Sequence, residues 1–354
     1  MNKAYKFRLY PNNEQEILFA KTFGCVRFIY NRMLGDKIKH YEETKENLNC
    51  YPSQYKVVFQ WLKEVDSLAL VGAYNNLKNA YNNFFRDKKV GFPKFKSKKN
   101  NHHSYTTNCI NGNIKLQDGY TILPKVKAVR IKQHRQIPQD YKLKSVTISK
   151  TPSGKYYASI LFEYEQNIKP AILKEFIGLD FSMKELYVAS DGSSACYPRY
   201  YRLALNKLAK EQRKLSKMQK GSNNRNKQRI KVAKLHEKVT NQRKDFLHKI
   251  STQITNAYDC VCIEDLNMKG MSQALNFGKS VTDNSFGNFV TMLAYKLLEQ
   301  GKKLVKIDKW YPSSKTCSCC GVIKDMPLNE RTYECSSCGN IRIVTGKQIG
   351  RAHV

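Results

Sequence analysis

The sequence predicts a multidomain α+β protein: a β-barrel that carries a helical insertion, then an α/β domain with a basic helical hairpin and a small cysteine-built module. Three observations point there. Residues 4–10 alternate polar and apolar side chains as a strand does, and a helical stretch separates them from a strand-rich region at 104–165. Two later apolar runs each close on a carboxylate: Asp180 after Phe176-Ile177-Gly178-Leu179, and Glu264 after Val261-Cys262-Ile263. Cys317, Cys319, Cys320, Cys335 and Cys338 crowd into 22 positions.

In the first strand Tyr5, Phe7 and Leu9 face one way and Lys6 and Arg8 the other, until Pro11-Asn12-Asn13 breaks the pattern. Asn12, with Gln15 three residues on, reads as a helix cap. Helical periodicity then runs to about residue 86, with Trp61, Leu62, Val65, Leu68, Leu70, Tyr74, Leu77, Tyr81, Phe84 and Phe85 as expected bundle core. The segment 88–99 interleaves aromatics with lysines and contains Gly91 and Pro93, so it is a loop in which Phe92 and Phe95 can stack on bases while Lys94 and Lys96 meet phosphates. Residues 145–149 and 156–162 form a hairpin about Pro152-Ser153-Gly154, and the first strand is expected to return to this sheet across the insertion.

The next domain opens near Phe176 with strands at 176–180 and 185–189 and a third around Ala195-Cys196-Tyr197, the last two joined by an Asp191-Gly192 turn. Residues 201–250 hold sixteen Lys and Arg against three acids and read as two basic helices broken at Gly221-Ser222-Asn223-Asn224. Such a hairpin suits a nucleic-acid backbone, with Arg213, Lys217, Arg225 and Arg229 as candidate contacts. A strand at 259–264, a helix near 286–299 and a strand at 304–307 complete an α/β sheet of the ribonuclease H class. In that architecture acids from different strands converge at one end, where Asp180 and Glu264 are candidate Mg²⁺ ligands, since carboxylate oxygens suit that ion.

Composition sets the partner class. The chain has 62 Lys and Arg against 29 Asp and Glu, a formal +33, which points to nucleic acid, bound partly through counterion release. No run approaches the ~20 apolar residues of a membrane span, and the start lacks the apolar core of a signal peptide, so the expected place is the cytoplasm, nucleoid-associated in a bacterium. Cys25, Cys50, Cys109, Cys196, Cys260 and Cys262 are scattered and read as reduced core residues. Cys317 and Cys320, then Cys335 and Cys338 after fourteen residues, form two Cys-x2-Cys pairs. Four thiolates at this spacing suit a structural zinc ribbon, with Cys319 as the spare.

The run Lys3-Ala4-Tyr5-Lys6-Phe7-Arg8-Leu9-Tyr10-Pro11, then Gly91-Phe92-Pro93-Lys94-Phe95-Lys96, Gly178-Leu179-Asp180, Ile263-Glu264-Asp265-Leu266-Asn267 and Tyr311-Pro312-Ser313-Ser314-Lys315-Thr316-Cys317, resembles the TnpB (OrfB-type) family of insertion sequences over residues 1–343. That family is similar to the type V CRISPR effector nucleases. The resemblance implies a wedge-type barrel (1–10 and 88–170), a helical recognition insertion (11–87), a RuvC-like nuclease domain (171–312, with 201–250 as its basic hairpin) and a zinc ribbon (313–343). It implies RNA-guided, Mg²⁺-dependent cleavage of double-stranded DNA. The guide is an RNA from the element's end, the target carries an adjacent motif, and Asp180 and Glu264 are the first two RuvC acids. A monomer is expected.

The family's third acid follows the second cysteine pair, in an Asp-Arg-Asp-x-Asn stretch. Here Gly339 to Val354 contain no acid. Residues 349–354 match the translation of a common sequencing-library adapter, so 344–354 are expected to be a non-native tail on a truncated chain. Asp308 and Asp325 are weak substitutes. Two other function classes stand beside the nuclease: a binding-only guide carrier or repressor, and a general RNA-binding protein of ribosomal type.

Overall fold

The computed structural model describes residues 1–87, 89–100, 103–273, 278–308, 311, 315–317, 319–325 and 332–343. Lys88 of the basic loop, Pro312, Ser313, Ser314 and Ser318 of the cysteine-flanking motif, and the expected tail 344–354 lie outside the described residues. The chain forms two compact units, Met1–Gln166 and Asn167–Val354.

In the first unit β1 (Asn2–Tyr10) leads into α1 (Asn13–Thr44), α2 (Pro52–Val58) and α3 (Ser67–Arg86), followed by β2 (His103–Asn108), β3 (Lys115–Gln117), β4 (Tyr120–Leu123), β5 (Lys127–Lys132), β6 (Lys142–Lys150) and β7 (Tyr156–Glu163). The seven strands order as β2-β6-β7-β1-β5-β4-β3, so β1 does return across the helices to the middle of the sheet. Its alternation is the reason: Phe7 and Leu9 are fully buried while Lys6 and Tyr10 are exposed, each buried side chain contributing roughly 1.5–3 kcal/mol. The ladder ends at β2 and β3 without closing, so the expected barrel takes the form of an open half-barrel sheet.

The α1 cap forms as read: Asn12 Oδ1 accepts the Gln15 N–H at 2.8 Å and Gln15 Oε1 accepts the Asn12 N–H at 3.1 Å. The insertion is less continuous than its periodicity suggested. A 3-10 turn (Gln60–Glu64) and an extended Val65 interrupt it before Asp66 caps α3 at the Leu68 N–H. Trp61 and Phe85 are therefore not core; they are 42% and 73% exposed, Trp61 lying edge-on to Phe28. Asp66 is buried and also accepts from Thr107 of β2, and Gly72 lets α3 approach the same strand.

The second unit contains β8 (Phe176–Ser182), β9 (Leu186–Ala189), α4 (Tyr200–Lys217), α5 (Asn223–Ala257), β10 (Cys260–Glu264), α6 (Met268–Gln273), α7 (Gly278–Asn284), α8 (Phe286–Glu299), β11 (Lys303–Ile307), β12 (Thr332–Glu334) and β13 (Ile341–Ile343). Its main sheet runs β11-β10-β8-β9, with β8, β10 and β11 parallel and β9 antiparallel at the edge. Ile177, Leu179, Val261 and Ile263 pack with Leu247 and Ile254 of α5 and Phe286, Phe289, Leu293 and Leu297 of α8, while Cys260, Cys262 and Ile307 face the other way. The expected third strand at 195–197 is reduced to one bridge, Val188 with Ser194, because Cys196 takes a left-handed φ of 50° and Pro198 follows. Cys196 is exposed and Cys109 half-buried, so only Cys25, Cys50, Cys260 and Cys262 of the scattered thiols are core. The hairpin breaks where expected, at Gly221 (φ 89°), and Ser222 caps α5. Among the described residues no helix is long and apolar enough to cross a membrane.

A Cβ on Gly72 would lie 2.7 Å from the Thr106 carbonyl oxygen. Gly→Ala inside a helix ordinarily stabilises by up to about 1 kcal/mol. Gly72→Ala should instead destabilise by roughly 1–3 kcal/mol, because backbone must move to admit the methyl; a raised unfolding midpoint in urea would contradict this packing.

Candidate active site and metal centre

Glu264 is the last residue of β10, and Asp180 stands two residues before the end of β8, just past the point where its parallel pairing with β10 stops. Leu179 is in register with Ile263, so the next step along both strands brings the two acids side by side. Alternation puts them on the face of Cys260 and Cys262, opposite the face covered by α5 and α8. Both are half-buried. Burial first, and then the neighbouring Glu264 charge, push the Asp180 carboxyl up to about 7, offset in part by the Phe181 backbone N–H. Burial also raises Glu264. Neither forms an ion pair among the described residues.

The acids nearby behave differently. Asp259, at the other end of β10, accepts the backbone N–H groups of Lys174 and Glu175 and pairs with Lys302 at 3.2 Å, and these partners hold its carboxyl below the usual range. Asp265 pairs with Lys306 at 3.0 Å. Asp308 stands one residue past Ile307, the register partner of Glu264, and is exposed. Asp325 is exposed beside the cysteines and pairs with Lys315 at 2.5 Å. Neither Asp308 nor Asp325 is in the register position beside Asp180. The donor set of Asp180 and Glu264, two hard oxygens crowded into a partly dehydrated setting, fits a divalent cation, which would relieve both the burial and the mutual repulsion.

The sulfurs of Cys317, Cys320, Cys335 and Cys338 all lie within 4.8 Å of one another. Cys317 Sγ is 3.6 Å from Cys338 Sγ and Cys320 Sγ is 3.4 Å from Cys335 Sγ. Four ligands at a tetrahedral zinc would be about 3.8 Å apart, given Zn–S bonds of ~2.3 Å. Backbone N–H groups of Cys320 and Cys319 aimed at the Cys317 sulfur lower its thiol to about 6. Cys319 is exposed and contributes only its backbone N–H, 3.4 Å from that sulfur. The four-cysteine cluster can hold a metal such as zinc.

The proposed nucleic-acid contacts lie on both units. Phe92 is 44% exposed and packs edge-on against Tyr81 and Phe84 of α3, at 5.6 and 5.4 Å. Phe95 lies against Gly35 of α1, and Lys94 is exposed. Asn31 brackets Lys96, accepting its N–H at 2.7 Å and donating to its carbonyl at 2.9 Å. The Lys96 ammonium rests 4.0 Å from the Tyr30 ring centroid, where burial lowers its pKa. Part of this loop is therefore anchored on α1, through an asparagine that nothing in the local pattern singles out. On the hairpin, Arg213, Lys217 and Arg229 are exposed and Arg225 is half-buried. Glu211 locks the two helices by accepting from Gln228 at 2.6 Å and Lys231 at 2.9 Å.

A family model described as "Probable transposase" matches residues 159–275, and one for a Cas12f1-like TNB domain matches 286–342. A helix-turn-helix model matches 1–46, where this structure has β1 and the single helix α1 instead of two helices about a turn. The "Putative RNA-guided DNA endonuclease" of Streptomyces pristinaespiralis is 32% identical over 96% of this chain and 86% of that one. InsQ of Escherichia coli, which carries the same description, is 29% identical over 94% of this chain and 87% of its own length. Among solved structures, a Cas12f1–sgRNA–target DNA complex matches with a TM-score of 0.54 at 12% identity, covering 92% of each chain. That likeness defines the class by fold: a mixed α/β protein of Cas12f1-like architecture. The chain belongs to the TnpB family of OrfB-type insertion-sequence proteins.

An acid whose native pKa is raised binds its proton more tightly folded than unfolded, so its contribution to stability falls as pH rises from the unfolded value near 3.8 through about 7. Without added Mg²⁺, the second unit should lose stability from about pH 4 to about pH 7, by up to roughly 4 kcal/mol. Asp180→Asn should flatten that loss and raise the midpoint at the alkaline end, read by thermal unfolding; a lower midpoint there would contradict the buried, unpaired carboxylate.

Proposed function

We propose that this protein acts as an RNA-guided DNA endonuclease. A RuvC-like site at the C-terminal ends of β8 and β10 would hydrolyse phosphodiester bonds, with Asp180 and Glu264 as the ligands of catalytic Mg²⁺. One observation carries the reading: in a chain with 62 basic residues, two adjacent half-buried carboxylates lack a cationic partner among the described residues. When bound, Mg²⁺ supplies charge at the scissile phosphate and an activated water. The chain's own residues hold and orient the cation through rigid strand ends, and exposed Arg213, Lys217 and Arg229, with Arg225, neutralise the phosphate backbone. Phe92, Lys94, Phe95 and Lys96 add stacking and phosphate contacts. A structural zinc held by Cys317, Cys320, Cys335 and Cys338 stiffens the ribbon. The partners would be a guide RNA from the element's end and double-stranded DNA with an adjacent motif, and the relatives named putative RNA-guided DNA endonucleases support RNA and DNA as the partner classes.

A second reading has its own observation. Among the described residues no third carboxylate joins Asp180 and Glu264 in register. Two carboxylates hold cations less firmly than three, and this 354-residue chain would then carry guide RNA and bind target DNA while cutting slowly.

Purification with RNA transcribed from the flanking element, followed by a randomised DNA library and Mg²⁺, tests these readings. We expect one specific co-purifying RNA and motif-dependent DNA binding, with slow cleavage that Asp180→Ala abolishes. RNA retention without sequence preference would favour a general RNA-binding protein, and cutting that survives Asp180→Ala would remove this site from the chemistry. The ribbon is tested separately by metal content: Cys335→Ser should lose about one zinc per chain and Cys319→Ser none.

A further inference from the structure

At the junction of α7 and α8, the consecutive residues Asp283, Asn284 and Ser285 are bonded to three other elements of the second unit. The Asp283 carboxylate accepts the backbone N–H groups of Tyr201 at 3.0 Å and Arg202 at 3.4 Å, in the first turn of α4. The Tyr197 hydroxyl donates to the same carboxylate at 3.2 Å and to the Asp283 carbonyl at 2.8 Å. Helix α4 has no side-chain cap of its own, since Arg199 at that position is left-handed with φ 53°. Its exposed N–H groups and positive dipole end are satisfied by a carboxylate from a distant part of the sequence.

Asn284 faces another element. Its amide donates to the carbonyls of Ser182 at 3.0 Å and Met183 at 2.9 Å, at the close of β8 and only two and three residues past Asp180. Ser285 Oγ in turn accepts from the Arg243 guanidinium of α5 at 2.7 Å. Asp283 and Asn284 are 2% and 1% exposed, and polar groups buried to that degree are costly unless each bond is used. The bonds of these three residues converge on the root of the basic hairpin, on both of its helices, and on the end of the strand that carries Asp180.

We propose that Asp283, Asn284 and Ser285 form a positioning hub that fixes the base of the basic hairpin to the end of β8, so that nucleic acid held on the hairpin stands at a set offset from the Asp180 carboxylate. The functional half of this statement rests on the nuclease reading above. None of the three residues touches the reacting atoms. Their effect is mechanical: a load on α4 passes through one dipeptide to the Asp180 strand end, with Ser285 holding α5 to the same point.

Hydrogen–deuterium exchange on the full zinc-loaded chain tests the hub without any need for cleavage. Asp283→Ala should speed exchange about fivefold at residues 200–206, as loss of a cap does, and also at 181–187, which it does not itself bond. Asn284→Ala should do the reciprocal. Asp283→Asn, which keeps a side-chain acceptor, should restore both segments. Asp66→Ala, which removes a comparable cap from α3 in the first unit, should leave both unchanged. A Mn²⁺ titration adds a second reading: Asp283→Ala and Asn284→Ala should weaken Asp180-dependent Mn²⁺ binding about tenfold and Asp66→Ala should not. Effects confined to the directly bonded segment, or reproduced by Asp66→Ala, would overturn the hub. Absence of any Asp180-dependent Mn²⁺ binding in the unmutated chain would instead count against the nuclease reading, and the exchange data would still decide the hub.

Discussion

The parallel register of β8 with β10 is the constraint on which the rest of the second unit depends. Pairing Leu179 with Ile263 leaves the strands no freedom in where the following side chains fall, and both strands place an acid at the next position. The strands are parallel because long crossovers join them, and those crossovers supply α5 and α8, whose apolar faces cover Ile177, Leu179, Val261 and Ile263. Burial on that face fixes the register, since a one-residue slip would turn these side chains outward. The carboxylates inherit their position from hydrophobic packing on the opposite side of the sheet.

Much of this was legible because it depends on local periodicity. The strand over 4–10, the capping pair Asn12 and Gln15, the break at Gly221 and Glu264 at the end of its strand follow from spacing alone, while β1 begins two residues earlier and β8 runs two residues past Asp180. The failures have a common cause, which is that periodicity does not say what covers a face. Trp61 and Phe85 keep helical spacing yet lie exposed, because the chain turns through Val65 after the 3-10 segment and Phe85 falls in the last turn of α3. The strand expected at 195–197 loses to a left-handed Cys196. The bracket that Asn31 forms around Lys96 spans 65 residues, and Asp283 reaches Tyr201 over 82, so neither leaves a mark in any short window.

The zinc-type cluster and the basic hairpin were the easier readings, since four thiols at fixed spacing and a long run of cations have few alternative uses. Even so, the hairpin is not a uniform charged surface. Glu211 is buried between the helices and satisfied by Gln228 and Lys231, which ties one exposed cation into an ion pair while Arg213, Lys217 and Arg229 remain on the surface. The same division operates in the 88–99 loop, where Lys96 is held against Tyr30 while Lys94 stays in solvent. Spacing alone could not separate the anchoring cations from the free ones.

The two ends of β10 leave their acids in opposite electrostatic states. Asp259 at the start is bonded by two backbone N–H groups and Lys302, and its carboxyl is correspondingly stabilised in the charged form. Glu264 at the end, with Asp180 beside it, is pushed toward the neutral form although the chain carries an excess of 33 positive charges that could have supplied a partner. Folding has thus solved the same electrostatic problem at one end of the strand and left it open at the other. A divalent cation held there would offset what the arrangement costs the isolated protein, and in an open α/β sheet ligands bind at the carboxyl ends of parallel strands.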